Sequence, residues 1–204
     1  MAMAPSQLGC FTFSSDQHAR PNIQYHVQPL SLDNFGDPLH GFNAFTASVC
    51  NLRPTSRGFV HISSLDIDAP PIIDPRYLST AEDKQVAIES IRLTREIINR
   101  SSAFAPLYPE EYKPGESVQS TSELVKAAGD IGTTIFHPVG TCKMGTESDG
   151  MAVLDSKLRV IGVRGLRIAD ASAMPTITSG NTAAPTMMIA QCAADNIIAG
   201  LPSL

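Results

Sequence analysis

The order in which the apolar pattern changes along the chain constrains its fold more than any other feature. Ile23, Tyr25 and Val27 alternate with Gln24, His26 and Gln28 until Pro29, the two-residue period of a half-buried strand. The turn-rich run Leu32-Asp33-Asn34-Phe35-Gly36-Asp37-Pro38 separates it from a second extended stretch, 42–52, rich in Phe, Thr and Val. After Arg53-Pro54-Thr55-Ser56-Arg57-Gly58 comes a third, Phe59-Val60-His61-Ile62. Three strands joined by turns predict an antiparallel sheet, with residues 1–20, polar and irregular, preceding its first clear strand.

The period then becomes helical. Thr80, with Asp83 three positions on, has the form of a capping box, and behind it Val86, Ile88, Ile91, Leu93, Ile97 and Ile98 make one apolar stripe to about Asn99. Residues 101–119 read as loop and 120–128 as a second, shorter helix. Strands followed by helices predict an α+β layer, an antiparallel sheet backed by helices, rather than repeated βαβ units. From Val153 short extended runs are punctuated by Gly162 and Gly165. A last helix begins at Thr182 or Ala183, carries Met187, Met188, Ala190, Ala194 and Ile197, and stops at Gly200. The change of texture near residue 135 divides the chain into 1–136 and 137–204.

Bulk properties exclude several function classes. With 204 residues, 43% of them hydrophobic, the chain is long enough for a globular core, and its 15 basic residues are dispersed among 20 acidic ones. No basic stripe exists to meet a phosphate backbone, so nucleic acid is not an expected partner. No apolar run is long enough for a membrane segment, and residues 1–5 have neither a charged nor a long apolar export signature. Four widely spaced cysteines, Cys10, Cys50, Cys142 and Cys192, point to reduced thiols in a cytoplasmic protein and to no metal site.

Familiar cofactor cradles are also missing. Among 14 glycines no pair has G-x-G spacing, which removes the dinucleotide fingerprint. Gly140 and Gly145 are spaced as in a P-loop, but Thr146 stands where that loop needs lysine, and neither G-x-S-x-G nor H-E-x-x-H occurs.

Chemistry concentrates in two short segments. His137, in His137-Pro138-Val139-Gly140-Thr141-Cys142-Lys143-Met144-Gly145, offers an imidazole, the side chain suited to moving a hydroxyl proton near neutral pH. Asn181, 44 positions later in Thr178-Ser179-Gly180-Asn181-Thr182, offers an amide at a helix entrance. Each has an ordinary structural reading too, His137 as a loop or core histidine and Asn181 as an N-cap. Asp170 can face a ligand hydroxyl or start a turn, while Cys142 and the Met187-Met188 pair read as core. The helix entrance itself presents N–H groups and a positive dipole end, suited to developing negative charge.

Taken together the motifs resemble the C-terminal region of the glucose-methanol-choline (GMC) family of flavin oxidoreductases, its choline- and alcohol-dehydrogenase branch in particular. The matching pieces are 52–58, Ile73-Asp74-Pro75-Arg76-Tyr77-Leu78, 137–145, Val153-Leu154-Asp155 with Leu158-Arg159-Val160, 165–175 and 179–190, in the family's order. The resemblance implies that residues 1–136 are most of a substrate-binding domain and that 137–204 return to an FAD domain. It implies that His137 is the active-site base for the hydroxyl of a small primary alcohol, choline-like or other, which becomes an aldehyde as hydride passes to the flavin. Asn181 matches the second catalytic position, where an amide orients the alkoxide but cannot take its proton. Asp170 and Ala171 match a segment beside FAD, and Thr182 and Ala183 the helix entrance aimed at the flavin's pyrimidine edge. The N-terminal FAD-binding half is absent, so that half is the expected partner and the chain alone is expected to be inactive and to self-associate through the face left exposed. The alternatives are a non-catalytic binding module and an inert truncation fragment that keep the fold without FAD.

Overall fold

The computed structural model describes residue 6, residues 8–34 and residues 36–200. Residues 1–5, with the export signature sought there, and Phe35 of the turn-rich run lie outside the described residues. The chain is an α+β protein of two compact units. One comprises the described residues up to Ser56 with Arg76–Thr133, the other Arg57–Pro75 with the described residues from Thr134 on.

In the first unit β1 (Leu8–Thr12), β2 (Ile23–Gln28) and β3 (Thr46–Asn51) form an antiparallel sheet with β2 in the middle. The apolar set at 23–28 packs on one face, Ile23 and Tyr25 buried against Val86 of α1 (Ala81–Arg100) with Val27, Ala47, Val49 and Leu93 around them. Gln24 between them is buried as well, at 6% exposure, so burial does not alternate as the period predicts. Tyr25 reaches through this layer to Thr94, oxygen to oxygen 2.9 Å, and its burial pushes the phenol pKa up. α1 ends in an irregular segment that Arg95 pins to the helix. Its guanidinium donates twice to Glu111, at 2.8 and 2.9 Å, and to the carbonyls of Val118 (2.9 Å) and Gly115 (3.1 Å). α2 (Thr121–Ile131) starts from a reciprocal capping box in which Glu123 N–H donates to Ser120 Oγ at 3.3 Å and Ser120 N–H to Glu123 Oε2 at 3.0 Å.

The cap at Thr80 is only half of such a box. Asp83 N–H donates to Thr80 Oγ1 at 3.3 Å, but the Asp83 carboxylate turns to the loop before it and accepts from Thr55 and Ser56 instead. The aspartate side chain, one methylene shorter than glutamate, is better placed for that loop than for the cap.

The second unit opens with a two-stranded antiparallel hairpin, β4 (Phe59–His61) with β5 (Ile72–Asp74). The stretch read from sequence as the third strand of the first sheet therefore has a different partner, and the sheet's remaining strand is β1, whose side chains are largely exposed and so leave no apolar alternation to read. Gly58 is required at the hairpin's mouth, because a Cβ there would sit 2.0 Å from the Asp74 carbonyl oxygen.

The unit's core gathers Leu154, Leu158, Ala173, Met174, Ile189 and Ala193, with Val139, Cys142 and Met144 packed on it. The extended runs after Val153 make single bridges rather than strands, Leu154 to Val160 and Arg159 to Arg167. α3 (Ala183–Ala199) buries Ile189 and Ala193 and ends at Gly200. Met187 and Met188, expected in the core, are 67% and 62% exposed, and Ala190, Ala194 and Ile197 are exposed with them. The helix is apolar on nearly every side, so its sequence cannot say which side faces the core.

Candidate active site

His137 and Asn181, far apart in sequence, meet in the second unit. Asn181 Nδ2 lies 3.4 Å from His137 Nε2, with the amide as donor to the ring nitrogen. That is long for a hydrogen bond, as catalytic contacts commonly are before substrate tightens them.

Local backbone explains how each side chain arrives. His137 stands between Phe136, left-handed at φ 61, and Pro138, which restricts the residue before it to extended backbone. Phe136 N–H donates to Thr134 Oγ1 at 3.0 Å, fixing the turn. Gly140, φ 89, then lets the loop run beside the chain at 174–175, where a Cβ would stand 3.4 Å from the Met174 carbonyl oxygen. Two backbone bonds tie the loop down: Cys142 N–H to the Ser172 carbonyl at 3.1 Å, and Met144 N–H to the Ala173 carbonyl at 2.9 Å. The Lys143 ammonium meets Asp149 Oδ2 at 2.6 Å across the same bend and holds that carboxyl below its usual pKa.

Asn181 is placed from the other direction. Ser179, left-handed at φ 78, leads the chain round to Asn181 and into α3, whose N-cap Thr182 is 7% exposed. Thr182 makes no side-chain capping bond; its carbonyl accepts from Thr186 N–H and Oγ1 at 3.0 and 2.7 Å. Beyond it Ala183 and Ala184 are exposed and small, and Pro185 brings no N–H. The first turn thus presents backbone donors and a positive dipole end with little side chain in the way, which suits the electron-rich edge of a flat cofactor.

Asp170 caps the short 3-10 turn Ala171–Ala173, accepting from the Ser172 N–H at 2.8 Å and from the Ser172 hydroxyl on the same Oδ1. Ala171 packs on the core beside it. Through the bonds of Cys142 and Met144 this turn and the His137 loop share one backbone scaffold. Phe136 and Ser179 were not singled out from sequence, since neither residue type announces a left-handed conformation. Among the described residues no cluster of three or more His, Cys, Asp or Glu is placed to hold a metal ion.

Comparison with known proteins places the chain in a family. Residues 54–190 match the GMC oxidoreductase family. The chain is 40% identical to an alcohol dehydrogenase (acceptor) of Pseudomonas putida, over 95% of its own length and 34% of that protein's. It is 41% identical to the mitochondrial choline dehydrogenase of Mus musculus, over 100% of its length and 34% of that protein's. It thus spans about a third of the curated relatives it matches. Among solved structures, pyridoxine 4-oxidase from Mesorbium loti superposes with a TM-score of 0.81 at 26% identity, covering 97% of this chain and 39% of that one. An FAD-dependent oxidoreductase from Chaetomium thermophilum does so with a TM-score of 0.72 at 29% identity, covering 87% and 28%. Fold, motifs and relatives converge: the chain belongs to the GMC oxidoreductase family.

Proposed function

We propose that this chain carries the proton-handling side of an FAD-dependent alcohol oxidoreductase, with residues 1–136 serving mainly to bind substrate and 137–204 completing the FAD domain. The observation that carries the reading is the pairing of His137 with Asn181 at 3.4 Å on two segments 44 positions apart. With the amide donating to it, His137 Nε2 holds a lone pair rather than a proton, the form a base requires. A primary alcohol entering beside the pair donates its hydroxyl proton to Nε2 and accepts from Asn181 Nδ2. As the proton moves, Asn181 remains a donor to the growing negative charge on oxygen, and His137 alone takes the proton.

FAD, when bound, supplies the hydride acceptor. Thr182 and Ala183 at the start of α3, with Asp170 and Ala171 on the neighbouring turn, are the residues that would hold it on this side. Most of its cradle would come from an N-terminal FAD-binding region, which makes that region the expected partner and the isolated chain inactive. No described helix is long and apolar enough to cross a membrane, and the four cysteines are free, in keeping with a cytoplasmic setting.

The test is co-expression with the FAD-binding region of a relative about 40% identical, followed by anaerobic flavin bleaching with primary alcohols, choline among them. The pair should bleach and the isolated chain should not. His137→Ala should slow bleaching roughly 100- to 10,000-fold, the usual worth of a general base, and Asn181→Ala less. Full activity of the isolated chain, or a His137→Ala variant at the parental rate, would sink the reading. Assembly that binds FAD but reduces it with no alcohol would favour a non-catalytic module.

A further inference from the structure

Among the described residues only six non-glycines hold a positive φ, and two of them, Phe136 and Ser179, lie within two positions of His137 and Asn181. A left-handed Phe is unusual, because its Cβ crowds the following carbonyl. Such backbone persists only where its surroundings over-determine it, and it gathers at functional sites. We infer that Phe136 and Ser179 are positioning residues whose left-handed backbone, rather than their side-chain chemistry, sets the spacing of His137 and Asn181. The inference rests on the reading of that pair as the proton-handling group.

The two segments are built alike. On the first, the Thr134 hydroxyl holds the Phe136 N–H at 3.0 Å, the chain bends at the left-handed Phe136, and Pro138 confines His137 to extended backbone. The ring is therefore aimed by two residues whose dihedrals have little freedom. On the second, α3 is fixed to the core through Ile189 and Ala193 and begins at a buried Thr182. Between the bend at Ser179 and this anchored helix only Gly180 and Asn181 remain, so the dihedrals at Ser179 decide how the amide approaches the ring. Returning either residue to ordinary right-handed or extended backbone would swing its segment by more than the gap of 3.4 Å tolerates.

Substitutions that separate backbone from side chain test this in the co-expressed FAD-containing assembly. Ser179→Thr keeps the hydroxyl and adds a branched Cβ that left-handed backbone rejects; Ser179→Gly removes the hydroxyl and keeps the backbone free. Phe136→Ile and Phe136→Leu are isomers that differ in where they branch. Ser179→Thr and Phe136→Ile should lower kcat roughly 10- to 100-fold, as misplacement by about 1 Å does, with KM little changed, while Ser179→Gly and Phe136→Leu stay within about threefold. The reverse order at Ser179 would assign the role to its hydroxyl and overturn the inference, as would four variants at the parental kcat.

Double variants show through which residue each acts. Phe136→Ile should add less than about twofold in a His137→Ala background, and Ser179→Thr likewise in Asn181→Ala, because residues acting as one unit are non-additive. Losses that carry over undiminished would mean general damage and also overturn the inference. Where the branched variants fail to bind FAD, Ser179→Asn against Ser179→Ala replaces them. Asn tolerates left-handed backbone and should be the more active, and the opposite result is again fatal. Failure of the underlying reading looks different: His137→Ala itself would then leave the rate unchanged.

Discussion

Asp83 shows how much one carboxylate can organise. It is 5% exposed, in the first turn of α1, and accepts from Thr55 N–H at 2.9 Å, Thr55 Oγ1 at 3.2 Å, Asn51 Nδ2 at 3.2 Å and Ser56 N–H at 2.8 Å. Burial pushes its pKa up, but the hydrogen bonds from Ser56 and Thr55 outweigh burial and leave it below the ordinary value. Because the folded pKa is the lower one, the stabilisation is complete above the unfolded value, about 3.9, and is lost as pH falls through the folded value. Asp83→Asn should therefore cost on the order of 2 kcal/mol at pH 7, since an amide group would face donors, and the gap between variant and parent should narrow in urea titrations below about pH 4. A gap independent of pH would rule out the charge as its source. The same residue scale marks what sequence could show of the site. His137, Asn181 and Asp170 carry their chemistry in their identity; Phe136 and Ser179 adopt a conformation that their identity disfavours, and only the folded backbone reveals it.

At the scale of elements, legibility followed one-sidedness. α1 buries Val86 and Ile88 and exposes Glu82, Lys84, Arg92, Glu96 and Arg100, so its period is legible, as is the apolar half of β2, which packs on α1. β1 shows no legible period because its side chains are mostly exposed, and the pairing of Phe59–His61 with β5 is not legible because a strand's sequence holds no record of its partner. α3 is the instructive failure. Met187, Met188, Ile197 and Ile198 are exposed as well as apolar, and the only exposed polar side chains of the helix are Gln191 and Asp195, bonded to each other at 3.0 Å. So much exposed apolar surface on one helix calls for cover, which an FAD-binding region would supply. The double substitution Met187→Glu, Met188→Glu should thus change the urea stability of the isolated chain by no more than about 0.5 kcal/mol, as exposed positions do, while abolishing assembly with an FAD-binding region in a pull-down. A large loss of stability in the isolated chain, or assembly unimpaired, would show that this face is not the one that docks.

For the molecule as a whole, the exposed apolar surface is distributed over both units rather than confined to α3. Leu8 and Phe11 in the first unit are 68% and 55% exposed; in the second, Ile62, Leu65 and Ile67 beside the β4–β5 hairpin are 86%, 105% and 95% exposed. Soluble proteins rarely carry large contiguous apolar patches without covering them, and a net charge of -5 spread over 204 residues opposes association only weakly. Two units that each need apolar cover are what a chain spanning about a third of its relatives' length should display if the remaining two thirds supply it. The consequence is measurable without any activity. Sedimentation velocity of the isolated chain should show mass growing with concentration, and salt should promote rather than suppress the growth, because the attraction is apolar and the repulsion electrostatic. Addition of the FAD-binding region should convert that distribution into a single one-to-one species that carries flavin absorbance. A chain that stays monomeric at all concentrations and ignores the added region would instead be a self-sufficient module, and the His137–Asn181 pair would then lack the partner its chemistry requires.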